Sequence, residues 1–287
     1  MTAAALALVL AAALAHATWN YFLKRARGGA GFMTLVAIVA AVIWAPLAAG
    51  QWIHEGYEFR LVHLWPIVAS AAIHTAYFIL LDRGYRSGDL SVVYPLARAT
   101  GPILTIAAAI LVLGERPGAL ALAGAALVIV GAYLLTGNPL RLFSRDRPKG
   151  AGFALLTGCS IALYTVVDKI AVSHYLIPPI VFNWACLALR VFMLWPIAAW
   201  REPDALGDAW RADRRWIVLV AILSPLAYIL VLTAMVFTPV SYVAPAREMS
   251  ILFAALMGAH FLKEADATRR LVAAALIIVG IAGLAVG

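Results

Sequence analysis

Apolar residues run along the chain in ten blocks, at approximately 3–23, 31–50, 64–83, 90–113, 117–136, 151–171, 179–200, 216–238, 240–262 and 268–286. Each block is close to the roughly 20 residues a helix needs to cross about 30 Å of hydrocarbon. No block alternates strictly as a half-buried strand would, and no porin-like ten-residue segments are visible. Each therefore predicts a helix, which satisfies its own backbone hydrogen bonds in lipid. The breaks are short except at 138–150, where Arg141, Arg145, Arg147 and Lys149 form a basic linker near the middle of the chain. The pattern predicts an all-α integral membrane protein of ten transmembrane helices, spans 1 to 10.

The two halves repeat. Ala125-Ala126-Leu127-Val128-Ile129-Val130-Gly131 matches Ala274-Ala275-Leu276-Ile277-Ile278-Val279-Gly280, each run starting ten residues after Glu115 or Glu264. Ser91-Val92-Val93-Tyr94-Pro95 aligns with Ser241-Tyr242-Val243-Ala244-Pro245, and Ala76-Tyr77 with Ala227-Tyr228. Trp19 and Lys24 fall opposite Tyr164 and Lys169. This order predicts a first repeat over 1–137, the linker over 138–150 and a second repeat over 151–287. Five helices per copy place the second upside down, the inverted arrangement of secondary transporters, with a cavity between the copies.

Charge sets the orientation. With the N-terminus outside, the cytoplasmic loops hold sixteen Lys and Arg, while the outer loops keep only Arg60, Arg116 and Lys169. Both termini are thus predicted periplasmic in a bacterial inner membrane. The chain has 287 residues, is 64% hydrophobic and only 13% charged, about half the charged share of a soluble protein. Its net charge of +8 follows from loop topology, so no nucleic-acid partner is implied. Met1 to Ala17 resembles a signal peptide, yet no Lys or Arg precedes it and apolar sequence continues to Leu23, so it is read as span 1. Cys159 and Cys186 lie inside spans, as small apolar residues rather than a disulfide or a metal pair. No nucleotide loop, HExxH or clustered-Asp motif is present, and neither a metal nor a cofactor is expected.

Polar residues concentrate on spans 1, 3, 4 and their repeat mates 6, 8, 9, which are predicted to line the cavity. His16, Trp19 and Asn20 share one face of span 1, and Ser70, His74, Tyr77 and Phe78 one face of span 3. Span 4 presents Ser91, Tyr94, Arg98 and Thr105; span 6 presents Thr157, Ser160, Tyr164 and Asp168. Span 8 has Ser224 and Tyr228, and span 9 has Ser241 and Glu248. Arg98 and Glu248 hold equivalent places in the two copies and enter from opposite sides. They form either a structural ion pair between repeats or a site for substrate or protons. Arg247 is an alternative partner for a substrate carboxylate. Arg190 on span 7 either joins the site or snorkels. Pro95 and Pro245 are matched kinks, fixed or gating. The tyrosines and Trp19 offer rings that stack on a solute and still donate a hydrogen bond. His16 and His74 either relay protons or act as neutral donors. Trp52, Trp65, Trp200, Trp210 and Trp216 read as interfacial anchors. Glu115 and Glu264 read as helix-start charges ahead of spans 5 and 10. Gly280 and Gly283 give small faces that pack either a dimer or the monomer.

The stretch Asp82-Arg83-Gly84-Tyr85 through Gly88-Asp89-Leu90-Ser91-Val92-Val93-Tyr94-Pro95-Leu96, then Gly114-Glu115-Arg116-Pro117 and Gly131, resembles the drug/metabolite transporter superfamily. Its ten-helix EamA branch carries this pattern in each repeat, and a weaker second copy spans Pro239 to Gly280. Arg247 and Glu248 belong to no quotable family pattern. The resemblance implies a basket of helices around one cavity, with spans 5 and 10 peripheral, and export of amino acids or related metabolites. The aromatic lining is similar to that of amino-acid exporters of the YddG type. The expected partners are a small solute and membrane lipid. A membrane-embedded enzyme on a lipid-soluble substrate, or a non-transporting sensor or scaffold, are the alternatives.

Overall fold

Long apolar stretches with few breakers fold here as helices along almost the whole chain. The computed structural model describes residues 1–27, 30–88, 90–136, 148–201, 205–259 and 267–287. Among these the helices are α1 (Ala3–Arg25), α2 (Ala30–His54), α3 (Leu64–Ser87), α4 (Leu90–Leu111), α5 (Ala119–Thr136) and α6 (Pro148–Ser173). They continue as α7 (Pro179–Arg201), α8 (Ala205–Phe237), α9 (Val240–Ala246), α10 (Met249–Ala259) and α11 (Ala267–Val286). Among the described residues eight stretches are long and apolar enough to cross a membrane, with Val240–Met257 counted as one; Ala119–Leu135 and Pro179–Met193 are shorter apolar helices. Arg141, Arg145, Arg147 and Glu264 lie outside the described residues, as does the side chain of Trp200.

The surface is inverted relative to a soluble protein. Val42, Phe192 and Leu271 are 68%, 77% and 71% exposed, whereas Ser70, Thr157, Asp168, Asn183 and Glu248 are buried. Apolar atoms outside and polar atoms inside suit a molecule solvated by acyl chains. Trp52, Trp65 and Trp210 stay exposed toward the ends of their helices, as anchors do.

Helix packing repeats with the sequence. The α3–α6 contact recurs as α8 on α1, and α2 and α7 pack on one another, as do α5 and α11. The α5–α11 crossing is antiparallel. A Cβ on Gly124 would meet the Gly280 carbonyl oxygen at 2.6 Å, and one on Gly131 the Ala273 oxygen at 2.7 Å. Only glycine lets the two backbones approach so closely. Gly283 faces Gly124 as well, so these small faces are used within the monomer. The copies therefore run in opposite senses, and the termini meet: the Met1 amino group donates to the carbonyls of Leu284 (3.4 Å) and Ala285 (3.2 Å).

Two elements depart from expectation. The sequence predicts one helix at 240–262, but the chain breaks between α9 and α10 at Arg247–Glu248. Pro245 has no N–H to continue the ladder, and the turn tightens to i→i+3 bonds: Glu248 N–H to Pro245 O at 3.0 Å, Ser250 to Arg247 at 3.1 Å and Ile251 to Glu248 at 2.9 Å. The equivalent Pro95 leaves α4 continuous. Helix α8, expected from residue 216, starts at Ala205 and is interrupted at Asp213 (φ −131°, ψ 16°), whose carboxylate accepts the Arg27 amide at 2.9 Å.

Candidate functional site

Helical spacing brings one aromatic and one charged group of residues together inside the bundle. On α3, Ser70, His74 and Tyr77 follow at i, i+4 and i+7; on α6, Tyr164 and Asp168 at i, i+4. His74 stacks on Tyr164 with centroids 3.9 Å apart. Tyr228 of α8 sets its edge against His74 (5.6 Å) and Tyr164 (6.4 Å), and Tyr77 does so against Tyr164 (6.0 Å). The His74 ring is fixed by its Nδ1–H, which donates to the Ser70 carbonyl at 2.9 Å. The Arg247 guanidinium lies over the Tyr228 ring, 5.5 Å from its centroid, within cation–π range. The Tyr228 hydroxyl donates to Asp168 Oδ2.

The charged group sits beside the helix break. Arg98 Nη2 meets Glu248 Oε2 at 3.1 Å and donates to Ser250 Oγ at 3.3 Å. This pair joins the first copy to the second where α9 ends, as the repeat alignment anticipated. At the break Arg247 addresses Tyr228 while Glu248 addresses Arg98. Among the described residues, neither Arg247 nor Arg190 has a carboxylate within 4.0 Å. Arg190, in the middle of α7, lies within electrostatic reach of Asp168, Tyr228 and Tyr164, so the snorkelling alternative gives way.

The other sequence candidates are placed unevenly. His16 sits within electrostatic reach of Arg98 and Arg247 and meets Trp19 edge to face at 5.0 Å. The Trp19 indole N–H is buried without a partner. Asn20 turns its amide back to the His16 carbonyl (2.7 Å) and Ser160 its hydroxyl to Leu156 O (3.0 Å), so both spend their donors on their own helix. Tyr94 lies near Arg98, Pro95 is buried within α4, and Ser224 is half-buried, outside the ring cluster. Phe78 is 46% exposed and sets its ring edge to face against Tyr77 at 5.0 Å, at the margin of the cluster.

Sequence reasoning left Asp168 and Ser70 as members of polar faces rather than as candidates. Asp168 is fully buried, and its Oδ1 has no hydrogen-bond partner. A lone carboxylate inside a span, three residues before its predicted end, was the available signal.

At the end of the molecule that carries both termini, Glu115 does not serve α5. Its two carboxylate oxygens accept the amides of Val240 (2.7 Å) and Ser241 (2.9 Å), capping α9 in the opposite repeat. Lys169 Nζ donates to the carbonyls of Met235 (2.6 Å) and Thr238 (3.0 Å) at the end of α8. Both flank a recess of about 760 Å³ that His174 and Tyr175 also line. This clasp pins the α8–α9 turn.

The sequence matches the model of the EamA-like transporter family over residues 3–137 and again over 148–286. No curated protein matches it. A solved structure, titled only as the crystal structure of a protein, is similar in fold with a TM-score of 0.74 at 18% identity, covering 100% of this chain and 98% of that one.

Proposed function

Because this chain belongs to the EamA-like transporter family, a family of membrane transporters of small molecules, we propose that it carries amino acids, including aromatic or amphipathic ones, and related small metabolites across the bacterial inner membrane. The single observation behind the solute class is the ring cluster of His74, Tyr77, Tyr164 and Tyr228 set against Arg190 and Arg247, two guanidiniums without a carboxylate within 4.0 Å. A guanidinium inside a span without a carboxylate partner is costly and invites one, and its planar fork binds it in two-point fashion. Rings beside it accept an apolar side chain. In this assignment the solute carboxylate takes Arg190 and Arg247, the tyrosines and Trp19 take its side chain, and Arg98–Glu248 holds the repeats in register.

Alternating access is the mechanism we infer. The two copies share a sequence pattern yet differ at matched prolines, α4 being continuous and α9–α10 broken. An exchange of these two shapes between the copies would move the opening from one membrane face to the other.

Counterflow tests this. Purified protein in liposomes loaded with unlabelled amino acids is expected to accumulate labelled L-phenylalanine or another member of the panel saturably. Tyr164→Ala and Arg247→Ala are each expected to cut that accumulation at least about tenfold, the loss of roughly 1.4 kcal/mol of solute interaction. Monodisperse protein that exchanges no amino acid or related carboxylate would count against transport of this class, and in favour of a sensor or enzyme.

A further inference from the structure

The solute assignment leaves one charged group unused. Asp168 has no accessible surface, its Oδ2 is held by the Tyr228 hydroxyl, and its Oδ1 makes no hydrogen bond of normal geometry, with only the Ser70 hydroxyl in reach of the carboxylate. No cation among the described residues lies within 4.0 Å of it. A solute ammonium does not fit against a carboxylate that a water-sized probe cannot touch, and a metal ion would need several more oxygen ligands than one free lone-pair edge supplies. The occupant such a group accepts is a proton.

The surroundings connect that proton to the solute. Asp168 is faced by Ser70 from α3, by Cys186 and Arg190 from α7, by Tyr228 from α8 and by Arg247 from the α9–α10 break; His74 and Tyr164 adjoin it only through the Tyr228 ring that they pack against. Helix α4 meets α6 elsewhere, through Thr100 and Gly101 against Gly158 and Ile161. The two guanidiniums assigned to the solute carboxylate are thus the same two whose field reaches Asp168. Tyr228 links them physically, its ring under Arg247 and its hydroxyl on Asp168.

We propose that Asp168, held by Tyr228 behind the aromatic cluster, is the proton-binding residue of a carboxylate–proton symport. Resting on the transport reading above, the step is a simple exchange of charge. In the empty site the carboxylate of Asp168 answers the field of Arg190 and Arg247. When a solute carboxylate occupies those guanidiniums, two buried anions compete for them, and Asp168 takes up one proton through the Tyr228 hydroxyl, which hands its own proton to Oδ2 and regains one from the open side. When the solute leaves on the other side, Asp168 returns that proton there. No bond other than O–H is made or broken, and one proton crosses with each solute.

Calorimetry and vesicle assays test this with L-phenylalanine as the probe. Titration of the purified full-length protein in two buffers of different ionisation enthalpy is expected to show uptake of about one proton per solute bound by the wild type, and about none by Asp168→Asn. In liposomes containing a pH-sensitive dye, a solute gradient is expected to move protons in the same direction as solute, at a ratio near one. In Asp168→Asn that ratio is expected to fall at least about tenfold, at whatever rate the variant still exchanges. Wild-type binding or exchange without proton movement overturns the proposal while leaving transport intact. So does an unchanged ratio in Asp168→Asn. A wild type that neither binds nor exchanges L-phenylalanine or any other amino acid or related carboxylate of the panel fails at the transport reading itself, and the symport falls with it.

Discussion

At the scale of single residues, the ion pair Arg98–Glu248 and the cap Glu115 answer different demands. The pair is buried, with side chains 16% and 6% exposed, so removing one partner strands the other in a poorly solvating interior. Glu248→Gln is expected to destabilise the protein by about 3 kcal/mol, within the range for a broken buried pair, seen as a lower thermal midpoint in detergent. The double variant Arg98→Met with Glu248→Leu is expected to recover most of that loss. If the single and double variants melt alike, the pair is not structural. Glu115 instead satisfies two amides that no intrahelical carbonyl can reach. Glu115→Ala is expected to cost about 1–2 kcal/mol, the range for a lost helix cap, with faster backbone amide exchange at Val240 and Ser241. Unchanged exchange there would refute the cap.

Elements are decided by what their breakers and smallest residues permit. Pro95 and Pro245 are indistinguishable as sequence signals, and both predict a kink, yet only the second ends a helix. What differs is the next turn, where Arg247 and Glu248 are adjacent and have separate partners in space. The α5–α11 crossing is the reverse case, with its determinants written in the chain as Gly124, Gly131 and Gly280. At Gly280 a Cβ would stand 2.6 Å from the Gly124 carbonyl oxygen and 2.8 Å from the Val128 amide nitrogen, backbone atoms that cannot step aside. Gly280→Val is therefore expected to force the helices apart and cut the yield of monodisperse protein severalfold. Gly152→Val, at a site with nothing within 4 Å, is expected to leave the yield unchanged. Equal yields for both would mean that the close approach is not needed.

For the whole molecule, the strongest inference concerns sidedness. Both termini lie together, and the Tyr242 hydroxyl ties Gly118 (3.4 Å) to the Gly287 carbonyl (3.1 Å) at that same end. Loop charge predicts that this end faces outside. In a background lacking Cys159 and Cys186, Thr2→Cys and Arg116→Cys are expected to react with a membrane-impermeant thiol reagent in intact cells. Lys24→Cys and Arg86→Cys are expected to react only after the membrane is opened. The opposite pattern would reverse the orientation, and with it the sides between which Asp168 is proposed to pass its proton.

Hydrophobic periodicity, duplication and loop charge alone determined that the chain is an all-helical membrane protein of two inverted copies, because lipid leaves a backbone few other ways to satisfy its hydrogen bonds. They also placed Arg98 opposite Glu248 and put His74, Tyr77, Tyr164 and Tyr228 on inward faces, since helical phase is readable from spacing. The helix break, the clasp of Glu115 on the opposite repeat, and the company kept by Asp168 and Arg190 were decided only in the folded molecule. Each depends on the distance between helices far apart in sequence, and no periodicity within one helix encodes that distance.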